Sequence, residues 1–438
     1  MAYVPVAFIL AGMAAYTVLA GADFGAGLWT LLTVSPRLTG APGGQRVRDQ
    51  ARHAMGPVWE ANHVWLIFVL VVCWTAYPVA FGSISSTLAA PLLIAAIGIV
   101  FRGAAYALRG VADSSRGARA TENLFAVSSV LTPFALGTAV GAIAVGRVPV
   151  GNAAGNLVTS WLSPAPVLVG ALAVVFSGYL AAVFLAADSV RYRENSLTAA
   201  FRRRALVAGV LSGGLALAGL LVMRGSGLNL AHGAALALVC VSGVAGLATL
   251  ALCWRSLFGL ARLTAALAVG AVVVGWAAAQ APRFLPGMTV TQAAAGRSTL
   301  VALVIVVACG SVVLVPALVL LFSLFLRGRL DTPDSHAAVD PAGQAASQAA
   351  GDANAPAEPS PSRAPGRRAE DATTRPAIAP GGSRAAAGRR GAAAGLGLVA
   401  GAGLLVFTEG TWTHVLGVAG LVLCAVAIFT LTATPLDR

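Results

Sequence analysis

The chain has 438 residues, of which 58% are hydrophobic and 10% charged, with a mean hydropathy of +0.83. A soluble domain carries about 25% charged residues, so the composition excludes an ordinary cytosolic fold, a disordered regulator and a nucleic-acid-binding protein. The net charge of +13 comes from 29 basic residues, all of them arginine, against 16 acidic ones, and in a membrane chain such an excess reports orientation rather than a polyanionic partner.

A helix needs about 20 predominantly apolar residues to cross a hydrocarbon core about 30 Å thick. In chain order this predicts spans over 3–33, 56–78, 81–108, 122–146, 165–188, 204–223, 229–253, 260–281 and 298–326. The first run is too long for a cleaved signal peptide and has no AxA-type exit, so the first helix is expected to stay. Residues 328–391 are rich in Ala, Pro, Gly and Ser without apolar periodicity. They cannot bury enough surface to offset ordering entropy, and a disordered cytoplasmic linker is expected. Its acids come early and its arginines late (Arg363, Arg367, Arg368, Arg375, Arg384, Arg389, Arg390), which suits contact with anionic lipid headgroups. Two more spans follow, 392–407 and 413–433, the first short and glycine-rich enough to be tilted or re-entrant. The expected organisation is an all-α polytopic membrane protein: a membrane domain over 1–327, the linker over 328–391 and a membrane hairpin over 392–438.

Charge placement orients the spans. The loops after spans 1, 3, 5 and 7 hold fifteen arginines, such as Arg37, Arg46, Arg48 and Arg52 after the first. Those after spans 2, 4, 6 and 8 hold four: Arg147, Arg224, Arg283 and Arg297. Positive residues stay on the cytoplasmic side, so the N-terminus is expected outside. The cysteines Cys73, Cys240, Cys253, Cys309 and Cys424 lie in apolar runs with no CxxC pair, which indicates neither a disulfide framework nor a zinc site.

Ionisable residues inside a bilayer are costly and mark functional sites. Few lie deep here: Asp23 on span 1, Glu60 and His63 on span 2, and Arg102 near the end of span 3. Asp188, closing span 5, reads as interfacial. With the N-terminus outside, all four fall on the cytoplasmic side, on three consecutive helices. Pairing with Arg102 favours an ionised carboxylate, whereas burial alone disfavours it. A group balanced between those states can pass protons; the same residues can equally fix helix register as a buried ion pair. Glu60 and His63 are i, i+3 and share a helix face. A di-metal bundle would need a second Glu-x-x-His motif, and the sequence has none. Trp59 and Trp65 read as interface and packing residues. Gly21 and Gly25, spaced i, i+4 and followed by Gly27, predict close packing of span 1 around Asp23. A membrane heme needs axial ligands at one depth. His63 has no histidine at its level, and His232 or His414 with Met223 at the outer side is the one arrangement left, so no heme is expected in this chain.

These residues resemble a known family. "GADFGAGLW" (21–29) is similar to the first-helix "DGFDxGxGM" of subunit II of cytochrome bd quinol oxidases. "GPVWEANHVWLIFVLVVCWTAYPVAF" (56–81) resembles that subunit's long second-helix motif, "FRGAAYALR" (101–109) its "FRxxxFxxR", and "WAAAQAPRFLPGMTVTQAAA" (276–295) the segment before its last helix. The likeness covers about 1–327. It implies two four-helix bundles plus a peripheral helix, here with about two extra C-terminal segments, in a bacterial plasma membrane. It implies support for a partner subunit I that carries heme b and heme d, with quinol as the substrate of the complex, small accessory subunits and membrane lipids as further partners, and no nucleic acid. Glu60 falls on the family's acidic proton-pathway position; Asp23, Asn62 and Arg102 fall on motif residues. Ala20, Ala22 and Ala107 replace an Asp, a Phe and an acid of the family pattern. The competing reading is a proton-coupled secondary transporter, although no internal repeat is visible.

Overall fold

The computed structural model describes residues 1–34, 58–107, 115–191, 195–223 and 233–326. The side chains of 33–34, 58–61, 115–119, 191 and 321–326 fall outside that description. The expected linker (328–391), the C-terminal hairpin (392–438), most of the arginine-bearing first loop and the side chains of Trp59 and Glu60 therefore lie outside the described residues.

The helices are α1 (Val4–Val34), α2 (Val58–Ala76), α3 (Pro78–Thr87), α4 (Ala89–Ala107), α5 (Ser115–Ala144), α6 (Pro164–Arg191), α7 (Asn195–Val222), α8 (Gly233–Trp254) and α9 (Phe258–Gln280). A short hairpin, β1 (Arg283–Leu285) with β2 (Met288–Thr289), leads through α10 (Val290–Ala293) to α11 (Arg297–Leu326). Among the described residues, eight helices are long and apolar enough to cross a membrane: α1, α4, α5, α6, α7, α8, α9 and α11. The apolar run described in α2, Asn62–Ala76, is shorter. The protein is thus an all-α, multi-pass membrane protein. The chain divides into two compact units, the first holding Met1–Cys309; the described part of the second is the end of α11 from Gly310.

The expected third span, 81–108, is two helices. Tyr77 precedes a helix whose first residue is Pro78, and that helix ends at Thr87 with Leu88 outside helical geometry. The cause is Pro91: it has no N–H for the Thr87 carbonyl, and its ring crowds that carbonyl. Hydropathy runs unbroken across the joint, so an apolar window sees one span where the backbone makes two.

Helix α1 is central to the first unit. It packs against α2, α5, α6 and α9, while α6 packs against α5, α7 and α9, α4 against α5, and α8 against α7 and α9. Small residues allow this. A Cβ on Gly25 would overlap the Ser177 backbone carbonyl of α6, and one on Gly21 would meet Leu180 Cδ1 at 3.3 Å. At the other end of the group, Tyr77 Oη donates to the Ala2 carbonyl at 2.5 Å and its ring packs 4.8 Å from Phe284 of the hairpin. The Ala295 amide donates to the Ala76 carbonyl at 2.8 Å. Thr289 and Gln292 form a reciprocal capping box that starts α10. The hairpin and α10 between α9 and α11 are thereby folded back onto the end of α2.

Candidate functional site

Asp23 and Arg102 meet. Arg102 Nη2 lies 2.7 Å from Asp23 Oδ1 and 2.9 Å from the Asp23 carbonyl oxygen, so one guanidinium nitrogen ties both the side chain and the backbone of α1 to α4. The Arg102 side chain is 2% exposed and that of Asp23 5%. Arg102 Nη1 donates to Ser129 Oγ on α5, which in turn donates to the Phe125 carbonyl at 2.5 Å. The guanidinium carbon stands 4.9 Å from the centre of the Phe24 ring and 4.2 Å from that of Phe125. A charge buried this deeply is tolerable only when paired and hydrogen-bonded. Here the carboxylate, two further acceptors and two π-faces share that task.

Local sequence explains why the three helices converge. Gly27 faces Ser129 and Arg102, and a Cβ there would overlap the Ser129 side chain. Gly98 lies one turn before Arg102, and a Cβ there would overlap Thr132 Oγ1. Each glycine removes bulk where a neighbouring helix passes. Pro133, inside α5, has no N–H to offer the Ser129 carbonyl four residues back. That carbonyl is left without its helical donor at the level of the ion pair.

Several buried polar atoms around the pair have no hydrogen-bond partner among the described residues: Asp23 Oδ2, Tyr16 Oη, Asn62 Oδ1 and Thr132 Oγ1. Buried polar groups in folded proteins find a partner, and where protein supplies none an ordered water usually does. The neighbourhood of Asp23 is therefore polar enough to hold water inside an otherwise apolar group of helices.

The remaining residues singled out in the sequence are placed as follows. Asn62 is buried, and its Nδ2 donates to the Leu19 carbonyl of α1 at 3.4 Å. The His63 ring is half-buried and stands edge-on to Tyr16 and to Phe24, with centroids 6.0 Å away in each case. This closes α2 onto the face of α1 that carries Asp23. Trp65 packs beside Tyr16, Ala20 and Phe24 and meets Phe68 edge-on at 6.4 Å. Trp59 and Glu60 are the second and third residues of α2, with side chains outside the description. Glu60 precedes His63 by one turn. Among the described residues, no three His, Cys, Asp or Glu side chains gather as metal ligands.

Ser129, Phe125, Tyr16, Thr132 and Gly98 did not emerge from the sequence. A signal was available in "VSSVLT" (127–132), where Ser128, Ser129 and Thr132 make a polar stripe on an apolar span. A second ion pair also escaped it. Arg262 Nη2 on α9 lies 2.5 Å from Asp188 Oδ1 and 2.6 Å from the Phe184 carbonyl on α6, with both side chains about a quarter exposed (25% and 30%). Asp188 is thus the α6 end of a helix–helix tie.

A family profile described as cytochrome bd terminal oxidase subunit II matches residues 1–325. The chain is 28% identical over 119 residues to the cytochrome bd ubiquinol oxidase subunit 2 of Bacillus subtilis (strain 168). That match spans 27% of this chain and about a third (33%) of the relative's length. Among solved structures, a chain of the bd oxidase from Geobacillus thermodenitrificans aligns with a TM-score of 0.57 at 22% identity, covering 74% of this chain and 98% of that one. At that identity the likeness speaks to the fold.

Proposed function

The chain belongs to the cytochrome bd terminal oxidase subunit II family, and from that premise we propose that it serves a membrane quinol:oxygen oxidoreductase as its non-heme subunit, supporting a heme-bearing subunit I and carrying protons toward the site of oxygen reduction. In this reading heme b and heme d belong to the partner, quinol is the substrate of the complex, and the chain sits in a bacterial plasma membrane with its N-terminus outside. Residues 1–327 form the subunit II-like domain, with α1, α2, α4 and α5 as one bundle, α6 to α9 as the other and α11 peripheral.

One observation carries the proton role. The Asp23–Arg102 pair is buried at the junction of α1, α4 and α5, and one carboxylate oxygen has no partner among the described residues. Arg102 holds Oδ1, and Oδ2 is left to exchange a proton with a water. Tyr16, Asn62 and Thr132 offer further unpartnered polar atoms through which such a water is held. Glu60, one turn before His63 on α2, is the entry group from the cytoplasmic side. His63 closes the path on the face it shares with Glu60. In this scheme Arg102 is a positioning residue, because it fixes the carboxylate and the backbone beside it.

The test is Glu60→Gln in the assembled complex, with oxygen consumption driven by quinol as the readout. Turnover slows at least tenfold while the heme spectrum of the co-purifying partner is unchanged. Equal turnover in the variant rejects the proton role, and solute-dependent proton flux by the chain alone points to the transporter instead.

A further inference from the structure

Three arginines stand at one shared end of α7 and α8. Arg202 and Arg203 stand exposed in the third turn of α7, and Arg255 is exposed just past the end of α8. Arg202 Nη1 donates to Ser256 Oγ at 3.4 Å, which ties the start of one helix to the exit of the other. No carboxylate pairs with any of the three among the described residues. Asp188, at the end of α6, is committed to Arg262. The adjacent Arg204 turns inward, its guanidinium 5.5 Å from the Trp29 ring and 5.2 Å from that of Phe201. Among the described residues, these three arginines form a cationic group with no carboxylate partner, one of them tied to the neighbouring helix.

Below the cluster the two helices present apolar surface of acyl-chain length. On α7, residues spaced i, i+4, i+7, i+11, i+14 and i+18 from Arg203 share its face, and Val207, Val210, Gly214, Leu217 and Leu221 are all exposed. Leu217 lies about 20 Å from Arg203 along the axis, somewhat more than one leaflet's hydrocarbon depth of about 15 Å. On α8, Val244, Leu247 and Trp254 are exposed, with the indole nearest the charged end, where interfacial tryptophan belongs. The helices touch at Gly209 and Leu250. Farther in, Gly213 and Gly214 on α7 and Gly243 and Gly246 on α8 have nothing within 4 Å of a Cβ position. The neighbourhood of these glycines is open, so added bulk there meets no protein atom.

We infer that Arg202, Arg203 and Arg255 bind the phosphate of one anionic phospholipid, whose acyl chains lie along the exposed stripes of α7 and α8. Charge selects the headgroup: a zwitterionic lipid brings its own cation against three guanidiniums, whereas phosphatidylglycerol or cardiolipin brings unopposed phosphate. The apolar stripes select a lipid over soluble phosphate. Arginines scattered along a positively charged membrane face attract anionic lipid only diffusely. This cluster differs in having one member anchored to the neighbouring helix and exposed apolar stripes with open glycine positions on the same two helices.

The experiment compares the full chain, purified from its membrane with whatever subunit it retains, in three forms: wild type, R202Q/R203Q/R255Q, and a control of equal charge loss, R37Q/R46Q/R48Q. Native mass spectrometry counts phospholipid that survives extended detergent washing. Titration of phosphatidylglycerol into phosphatidylcholine nanodiscs reads the accompanying rise in Tm. The wild type and the control retain one anionic lipid and respond alike; the α7–α8 variant binds roughly a hundred-fold more weakly. Equal retention in the α7–α8 variant, or equal loss in the control, overturns the inference. Should the triple variant not fold, R255Q alone and the wild-type response decide it. A wild type whose Tm rises no more with phosphatidylglycerol than with phosphatidylcholine overturns it as well.

Discussion

Neutralising Arg102 leaves a carboxylate stranded in the protein interior. In Arg102→Met, the Asp23 carboxylate loses its donor at 2.7 Å, the Asp23 carbonyl loses one at 2.9 Å, and Ser129 Oγ loses the Nη1 donor. With the Asp23 side chain 5% exposed, water cannot freely replace them. Breaking a buried pair from one side costs about 3–5 kcal/mol, a large part of a total stability of about 5–15 kcal/mol. Asp23→Leu is expected to cost less, because the guanidinium keeps Ser129, the Asp23 carbonyl and the faces of Phe24 and Phe125. The double variant D23L/R102M removes both charges. Replacing a buried ion pair by apolar groups of similar volume is often neutral or stabilising by about 1–4 kcal/mol, so the double variant should regain most of the loss. Thermal unfolding of the purified protein in detergent reads the series, with Arg102→Met lower in Tm than wild type by at least about 5 °C. Oxygen consumption by the complex adds an independent column: if the pair also passes protons, the double variant is stable yet slow. An Arg102→Met protein that melts with the wild type refutes the account, as does a double variant no more stable than Arg102→Met.

Further expectations concern packing, the second ion pair and the C-terminal third. Gly25→Ala puts a methyl group into the Ser177 carbonyl and should reduce the yield of folded chain, whereas Gly270→Ala on α9, with nothing within 4 Å, should raise Tm slightly by up to about 1 kcal/mol of helix propensity. Arg262→Gln breaks a pair whose side chains are a quarter or more exposed, so its cost should stay within about 1 kcal/mol and shrink in high salt. Chemical denaturation at two ionic strengths checks this. Deleting 330–388 should leave oxidase turnover intact if the segment is a tether, and loss of the co-purifying partner on deletion would assign it a role in assembly.

Hydropathy alone locates the eight long described helices, because each must present about 20 apolar residues to lipid and leave no backbone group unsatisfied. Deep charges are rare enough that Asp23 and Arg102 stand out unaided, and their depth along spans 1 and 3, both read as running inward, brings them to one level. The break at Leu88 was missed although Pro91 marks it, because hydropathy averages over the very residues that a missing N–H separates. The hairpin over 283–289 is too short for any periodic signal.

The chain's composition determined on its own that this is a multi-pass membrane protein, and where its costly charges lie along each helix. Tertiary structure alone decided which helices touch: α1 against α6 and α9, α4 against α5 beside Arg102. In water, a helix reveals its inner face by being apolar on that side only. In lipid, the face toward a neighbour and the face toward acyl chains are equally apolar, so the pattern carries no direction. Small residues such as Gly25 and Gly27, and lone polar ones such as Ser129, mark the contacts instead, and their partners become known only when the helices are assembled.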